Sequence, residues 1–105
     1  MNINRIETVK RQMVELRRRL DLADAEVKSI DRRRANAKRT VSMLEHNPAN
    51  REKIEEARRE LQNYQQDYDS VSRNYYRIFA EIHRKNTELV QEERIDLSLR
   101  KTFLR

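Results

Sequence analysis

No glycine, cysteine or tryptophan occurs among the 105 residues, and proline occurs once. Without glycine there is no Gly-rich phosphate loop and no dinucleotide-binding fingerprint, because both need backbone positions that only glycine tolerates. Without cysteine there is no disulfide framework and no thiolate zinc site. That composition fits a reducing compartment and points to the cytoplasm or nucleus. Apolar runs are equally scarce, and Ile78-Phe79-Ala80 is the longest. A run that short provides neither a transmembrane helix nor the apolar core of a signal peptide. Charged residues make up 40% of the chain and hydrophobic ones 36%, with a mean hydropathy of -1.12. Such a composition suits either a disordered chain or a solvated helical one, and the order of the apolar residues decides between them.

That order is regular. From Ile6 the apolar residues step alternately by three and four: Ile6, Val9, Met13, Leu16, Leu20, Ala23, Val27, Ile30, then Arg34, Ala37, Val41 and Leu44. Only Arg34 interrupts the series. A second series runs through Ile54, Ala57, Leu61, Tyr64, Tyr68, Val71, Tyr75, Ile78 and Ile82 to Lys85 and Leu89. This period is a narrow coiled-coil seam, not a strand and not a broad globular face. The single proline lies between the series, in Glu45-His46-Asn47-Pro48-Ala49-Asn50. Pro48 suits the first turn of a new helix with Asn47 as its cap, and Asn50 is a competing cap. Glu52, Glu55 and Glu56 then favour the positive end of that helix. Two helices of roughly 43 residues joined by so short a turn fold back antiparallel.

The pattern also sets a register. Pairing Leu44 with Ile54 brings every a position of one helix opposite a d position of the other. Ala23 then meets Tyr75 and Ala37 meets Leu61, small against large. Arg19 falls beside Glu81 and Arg33 beside Asp67, whereas Lys38 near Arg58 is a clash of like charges. Arg34 is expected over Tyr64, its stem along the seam and its guanidinium on the ring. The fold expected is therefore all-α: a long antiparallel two-helix coiled-coil hairpin over residues 1–94. Helix 1 covers about 3–46, the turn 46–50 and helix 2 about 48–94. The apolar and basic segment 95–105 follows as a short third C-terminal element, helix or strand, docked on the hairpin or on a partner.

A second stripe lies beside the main seam. Tyr76, Phe79, His83, Asn86 and Val90 also step by three and four, and on helix 1 Ile3 and Val14 fall on the same side. Ile95, Leu99 and Phe103 make the final segment too apolar for a solvated tail. Contiguous apolar residues outside an intramolecular seam mark an interface. A two-helix seam is also a thin core for this length, so a protein partner or a homo-oligomer is expected.

Charge is uneven. Residues 1–46 carry 12 Lys and Arg against 7 Asp and Glu, residues 47–94 carry 9 against 10, and residues 95–105 carry 3 against 1. Arginine outnumbers lysine 18 to 6. The densest basic block is Lys28, Arg32, Arg33, Arg34, Lys38 and Arg39. Of these, Lys28, Arg32, Arg33, Lys38 and Arg39 are candidate anion-binding residues, with Tyr64 and Tyr68 near enough to stack on bases. No familiar nucleic-acid-binding signature is present. An anionic membrane is a poorer partner, because the apolar insertion face of an interfacial helix is missing.

Catalysis has little to stand on. His46 at the turn and His83 on the stripe are distant along the hairpin, and a metal site needs three or four converging ligands. Glu55-Glu56 and Glu92-Glu93 are neighbours in sequence and point different ways on a helix, so neither is a carboxylate dyad. A thin hairpin lacks the concave pocket that a small-molecule substrate requires. The function expected is a non-enzymatic coiled-coil assembly, adaptor or scaffold subunit without cofactor or metal. It binds a protein partner or a second copy through its open end, using Ile3, Val14, Tyr76, Phe79, His83, Val90, Ile95, Leu99 and Phe103. The alternative is a basic helical arm that binds nucleic acid through the tip-half arginines.

Overall fold

The computed structural model describes the backbone of residues 2–103 and the side chains of residues 3–101. Helix α1 runs from Asn2 to Glu45 and helix α2 from Arg51 to Phe103, with a 3-10 turn at Pro48–Asn50 between them. The two helices pack against each other as an antiparallel hairpin, and no strand occurs among the described residues. Neither helix contains Pro or Gly, so nothing in either sequence interrupts its hydrogen-bond ladder.

The turn is built from its asparagine and proline. The Asn47 N–H donates to the Leu44 carbonyl at 3.2 Å, satisfying one of the carbonyls that α1 leaves open at its end. The Asn47 side-chain oxygen accepts from the Ala49 N–H at 3.1 Å, with extended backbone at Asn47 and Pro48 at the first turn position. Asn47 is therefore a cap, as expected, but of a 3-10 turn. The Asn50 N–H reaches back three residues to the Asn47 carbonyl at 3.0 Å, and α2 proper begins at Arg51 instead of at 48.

The far end of α2 also differs from expectation. Residues 95–103 continue α2 without a break, so no third element forms among the described residues. Arg94, Ile95 and Asp96 offer no stop signal, and the Asp96–Arg100 ion pair at 3.1 Å is an i,i+4 pair that supports helix across this point.

Packing divides the hairpin into two units. The terminal unit joins the first 21 residues of the chain to those from Tyr76 onward, and the turn unit comprises Leu22–Tyr75. Every predicted seam position from Ile6 to Leu44 and from Ile54 to Leu89 is buried or half-buried. In the terminal unit the core is Val9, Met13, Leu16 and Ile78, with Val9 only 1% exposed. Full burial of such side chains contributes about 1.5–3 kcal/mol each. Lys85 occupies a seam position there and is matched by charge: its ammonium lies 3.4 Å from Glu88, whose other oxygen accepts from Arg5 on α1. In the turn unit only Ala23, Val41 and Ala57 are buried, and the tyrosines and branched residues between them are half-buried.

Candidate functional site

Large exposed hydrophobic side chains concentrate in the terminal unit. Ile3, Val14, Tyr76, Phe79, Val90, Ile95, Leu97 and Leu99 are all exposed there, whereas the turn unit exposes only Leu22 and Met43 among such residues. Position on the helices explains the grouping. Tyr76, Phe79, His83, Asn86 and Val90 each sit one residue after a seam position, so they form a line along the flank of α2. All five are exposed. Leu97 continues that line beyond the residues expected from the sequence, and its spacing from Val90, one heptad, is the signal for it.

The α1 side of the same flank is visible in a groove. Met13 and Arg17 of α1 and Phe79, Ile82, His83 and Asn86 of α2 line a shallow depression of about 240 Å³. Met13 and Ile82 are seam residues, and Arg17, Phe79, His83 and Asn86 are exposed beside them. Val14, one residue after Met13, is 69% exposed beside this groove. The structure thus gathers Val14, Tyr76, Phe79, His83 and Val90 onto one flank, with Ile3 on the α1 side of it. Ile95 and Leu99 are exposed on other faces: Leu99 continues the seam line and Ile95 lies on the opposite flank. The side chain of Phe103 lies outside the described residues.

On the other flank, Gln12, Glu15, Leu16 and Arg19 meet Glu81 and Lys85 in a second groove of about 290 Å³. Arg19 and Glu81 are brought together as the register required, but Glu81 makes its ion pair with Arg84 at 3.8 Å. Glu15 accepts two hydrogen bonds from Arg18, at 2.6 and 3.1 Å. Those bonds hold the Glu15 carboxyl below the usual carboxylate range and raise Arg18.

The basic block belongs to the turn unit, and the structure distributes it. Lys28 pairs with Asp24 at 2.9 Å, which raises the Lys28 ammonium above its ordinary value. Arg32, Arg33, Lys38 and Arg39 are exposed and make no ion pair among the described residues. Arg33 lines a groove of about 210 Å³ with Asn36, Ala37, Thr40, Ala57, Glu60 and Tyr64. Arg58, expected near Lys38, pairs with Glu45 at 2.9 Å.

Arg34 corrects one expectation. Its guanidinium lies 3.9 Å from the ring centre of Tyr68, not over Tyr64, and also donates to Asp31 at 2.7 Å. Helical side chains lean toward their own N-terminus. In antiparallel helices Arg34 and Tyr68 therefore lean toward each other, while Tyr64 leans away and donates its hydroxyl to Glu60 at 3.3 Å. Neither tyrosine presents an open ring for a base: one face of Tyr68 is covered and Tyr64 is half-buried in the groove.

Among the described residues no three His, Asp or Glu side chains converge to hold a metal ion. Among the described residues no helix is long and apolar enough to cross a membrane. Compared with protein-family models, curated proteins and solved structures, the chain has no significant match in any of the three.

Proposed function

We propose that this chain is a non-enzymatic helical-hairpin assembly element that binds protein through the exposed apolar flank of its terminal unit. The observation that carries this reading is the segregation of exposed hydrophobic side chains. Of the ten large ones among the described residues, eight lie in the terminal unit, and four of those, Tyr76, Phe79, Val90 and Leu97, follow one line along α2 with His83 and Asn86 between them. A solvated face has no reason to keep such residues in line, and aromatic side chains bury large area at small rotamer cost when a partner covers them. The three grooves hold about 210 to 290 Å³ each, below the roughly 300–1,000 Å³ of a typical ligand pocket, which favours a binding over a catalytic role.

Nucleic-acid binding through the turn unit is the less favoured role. The unit carries 11 Lys and Arg against 10 Asp and Glu, so it has almost no net field to attract a polyanion. Site-specific photocrosslinking in cells tests the choice, with the photoreactive residue at position 79 in one variant and 32 in the other. Protein adducts at 79 in excess of those at 32 are the expected result. Nucleic-acid adducts at 32, with nothing captured at 79, would overturn the reading.

A further inference from the structure

We infer that the terminal unit docks on a second copy of this chain, α2 against α2 in antiparallel order, along the flank from Tyr76 to Glu93. The inference rests on the reading of this flank as a protein interface and names its occupant. The argument is the order of the side chains. From Tyr76 to Glu93 the line is Tyr76, Phe79, His83, Asn86, Val90 and Glu93, all of them exposed, with Leu97 one turn beyond the paired stretch. Read backward from Glu93, it presents a matching order: an end that carries a polar group (the Tyr76 hydroxyl or the Glu93 carboxylate), an apolar residue, two polar residues, an apolar residue and again an end with a polar group. An interface about a twofold axis requires a surface complementary to itself, and this line satisfies that condition in one register.

In that register Phe79 of one copy meets Val90 of the second, and His83 meets Asn86. The Tyr76 hydroxyl faces the Glu93 carboxylate. Each contact occurs twice. The central His83–Asn86 layer matches an imidazole, with one nitrogen donating and the other accepting, to an amide that does both. A wholly apolar partner would bury these two side chains without hydrogen bonds, which is costly. A second copy supplies the matching groups at the right spacing. A single polar layer inside an apolar stripe also fixes register and orientation, so the pairing is specific as well as favourable.

The test measures mass by sedimentation or light scattering over a wide concentration range, with helicity followed by circular dichroism. The wild type is expected to dimerise. Phe79→Lys and Val90→Glu, made singly, are each expected to weaken the dimer at least about tenfold with helicity retained. The double variant Phe79→Lys/Val90→Glu is expected to recover it, because each new lysine then faces a new glutamate on the other copy. The absence of native cysteine gives a clean second measurement that does not depend on those variants. Mixed single-cysteine chains His83→Cys and Asn86→Cys are expected to form the 83–86 disulfide several-fold over 83–83 and 86–86. A monomeric wild type, a double variant no better than the singles, or unselective disulfides would overturn the proposal. A monomer that still yields adducts with another protein at position 79 removes the second copy alone. Absence of any adduct at 79 removes the interface reading with it.

Discussion

In the terminal unit the seam is closed by aliphatic side chains, and Val9 and Ile78 are 1% and 3% exposed. In the turn unit the same spacing admits Ala23, Ala37 and Ala57 and Tyr64, Tyr68 and Tyr75 among its Val, Ile and Leu residues, and most of its seam positions are only half-buried. The period is identical in both and the burial is not. Alanine brings the backbones close but removes little apolar area, and a tyrosine keeps its hydroxyl toward water or a surface partner such as Glu60. The unit with the better intramolecular core is also the one with apolar side chains left over on its flank. Heptad spacing therefore says which face is turned inward; composition at those positions says how much stability the face supplies.

The largest effect that sharpens this contrast is a cavity. Ile78→Ala should lower unfolding free energy by about 2–5 kcal/mol, the range for truncating a buried aliphatic residue. Leu61→Ala, at a half-buried seam position of the turn unit, should cost less than about 2 kcal/mol because less area is removed from water. Urea unfolding of both variants checks the order, and equal costs would erase the distinction between the units.

A smaller effect belongs to the polar residues that each unit admits to its seam. Arg34 is held by the Tyr68 ring and Asp31, whereas Lys85 is held by Glu88. A double-mutant cycle with Arg34→Leu and Tyr68→Leu should give a coupling of about 0.5–1 kcal/mol, the size of a partly exposed cation–π contact. A cycle pairing Arg34 with Tyr64 should give none. Coupling to Tyr64 in place of Tyr68 would restore the pairing that sequence numbering alone suggests.

The smallest effects concern pH, and they have opposite signs in the two units. Hydrogen bonds from Arg18 lower the Glu15 carboxyl, so its contribution in the terminal unit is present above its unfolded value and is lost as pH falls through the folded one. Asp24 raises Lys28, so its contribution in the turn unit is present below its unfolded value and is lost as pH rises through the folded one. Both side chains are exposed, and the effect on global stability should be slight. NMR titration is the sensitive readout. Arg18→Gln should return Glu15 to the usual carboxylate range, and Asp24→Asn should return Lys28 to its ordinary value. An unshifted Glu15 or Lys28 in the wild type would mean that the pair is not populated in solution.

Much of the fold was legible because it depends on spacing. The three-four series from Ile6 and from Ile54 located both buried faces, and the lone Pro48 located the turn between them. The register that sets Leu44 against Ile54 agrees with Arg19 and Glu81 sharing one groove and Met13 and Ile82 sharing another. The exposed flank was legible for the same reason, since Tyr76, Phe79, His83 and Val90 follow a line offset by one residue from the seam. Where α2 ends was not legible. Ile95, Leu97 and Leu99 alternate like a short strand and also fit a helix, and only the absence of any breaker before them decides for continuation.

The sequence by itself determined that two helices form, which faces they bury and that they return antiparallel. Each of those follows from period, from the lack of Pro and Gly inside the helices and from one short turn. Only the tertiary structure decided the partners of the long polar side chains. Arg34 could reach either tyrosine by numbering, and the lean of side chains toward each helix's own N-terminus selects Tyr68. Glu88 likewise joins Lys85 on its own helix to Arg5 on the other, and Arg58 pairs with Glu45. Backbone spacing places a side chain's root to within a residue, but the head of an arginine or lysine lies several bonds further out. Its final contact depends on every neighbour within reach, and those neighbours exist only once the helices have packed.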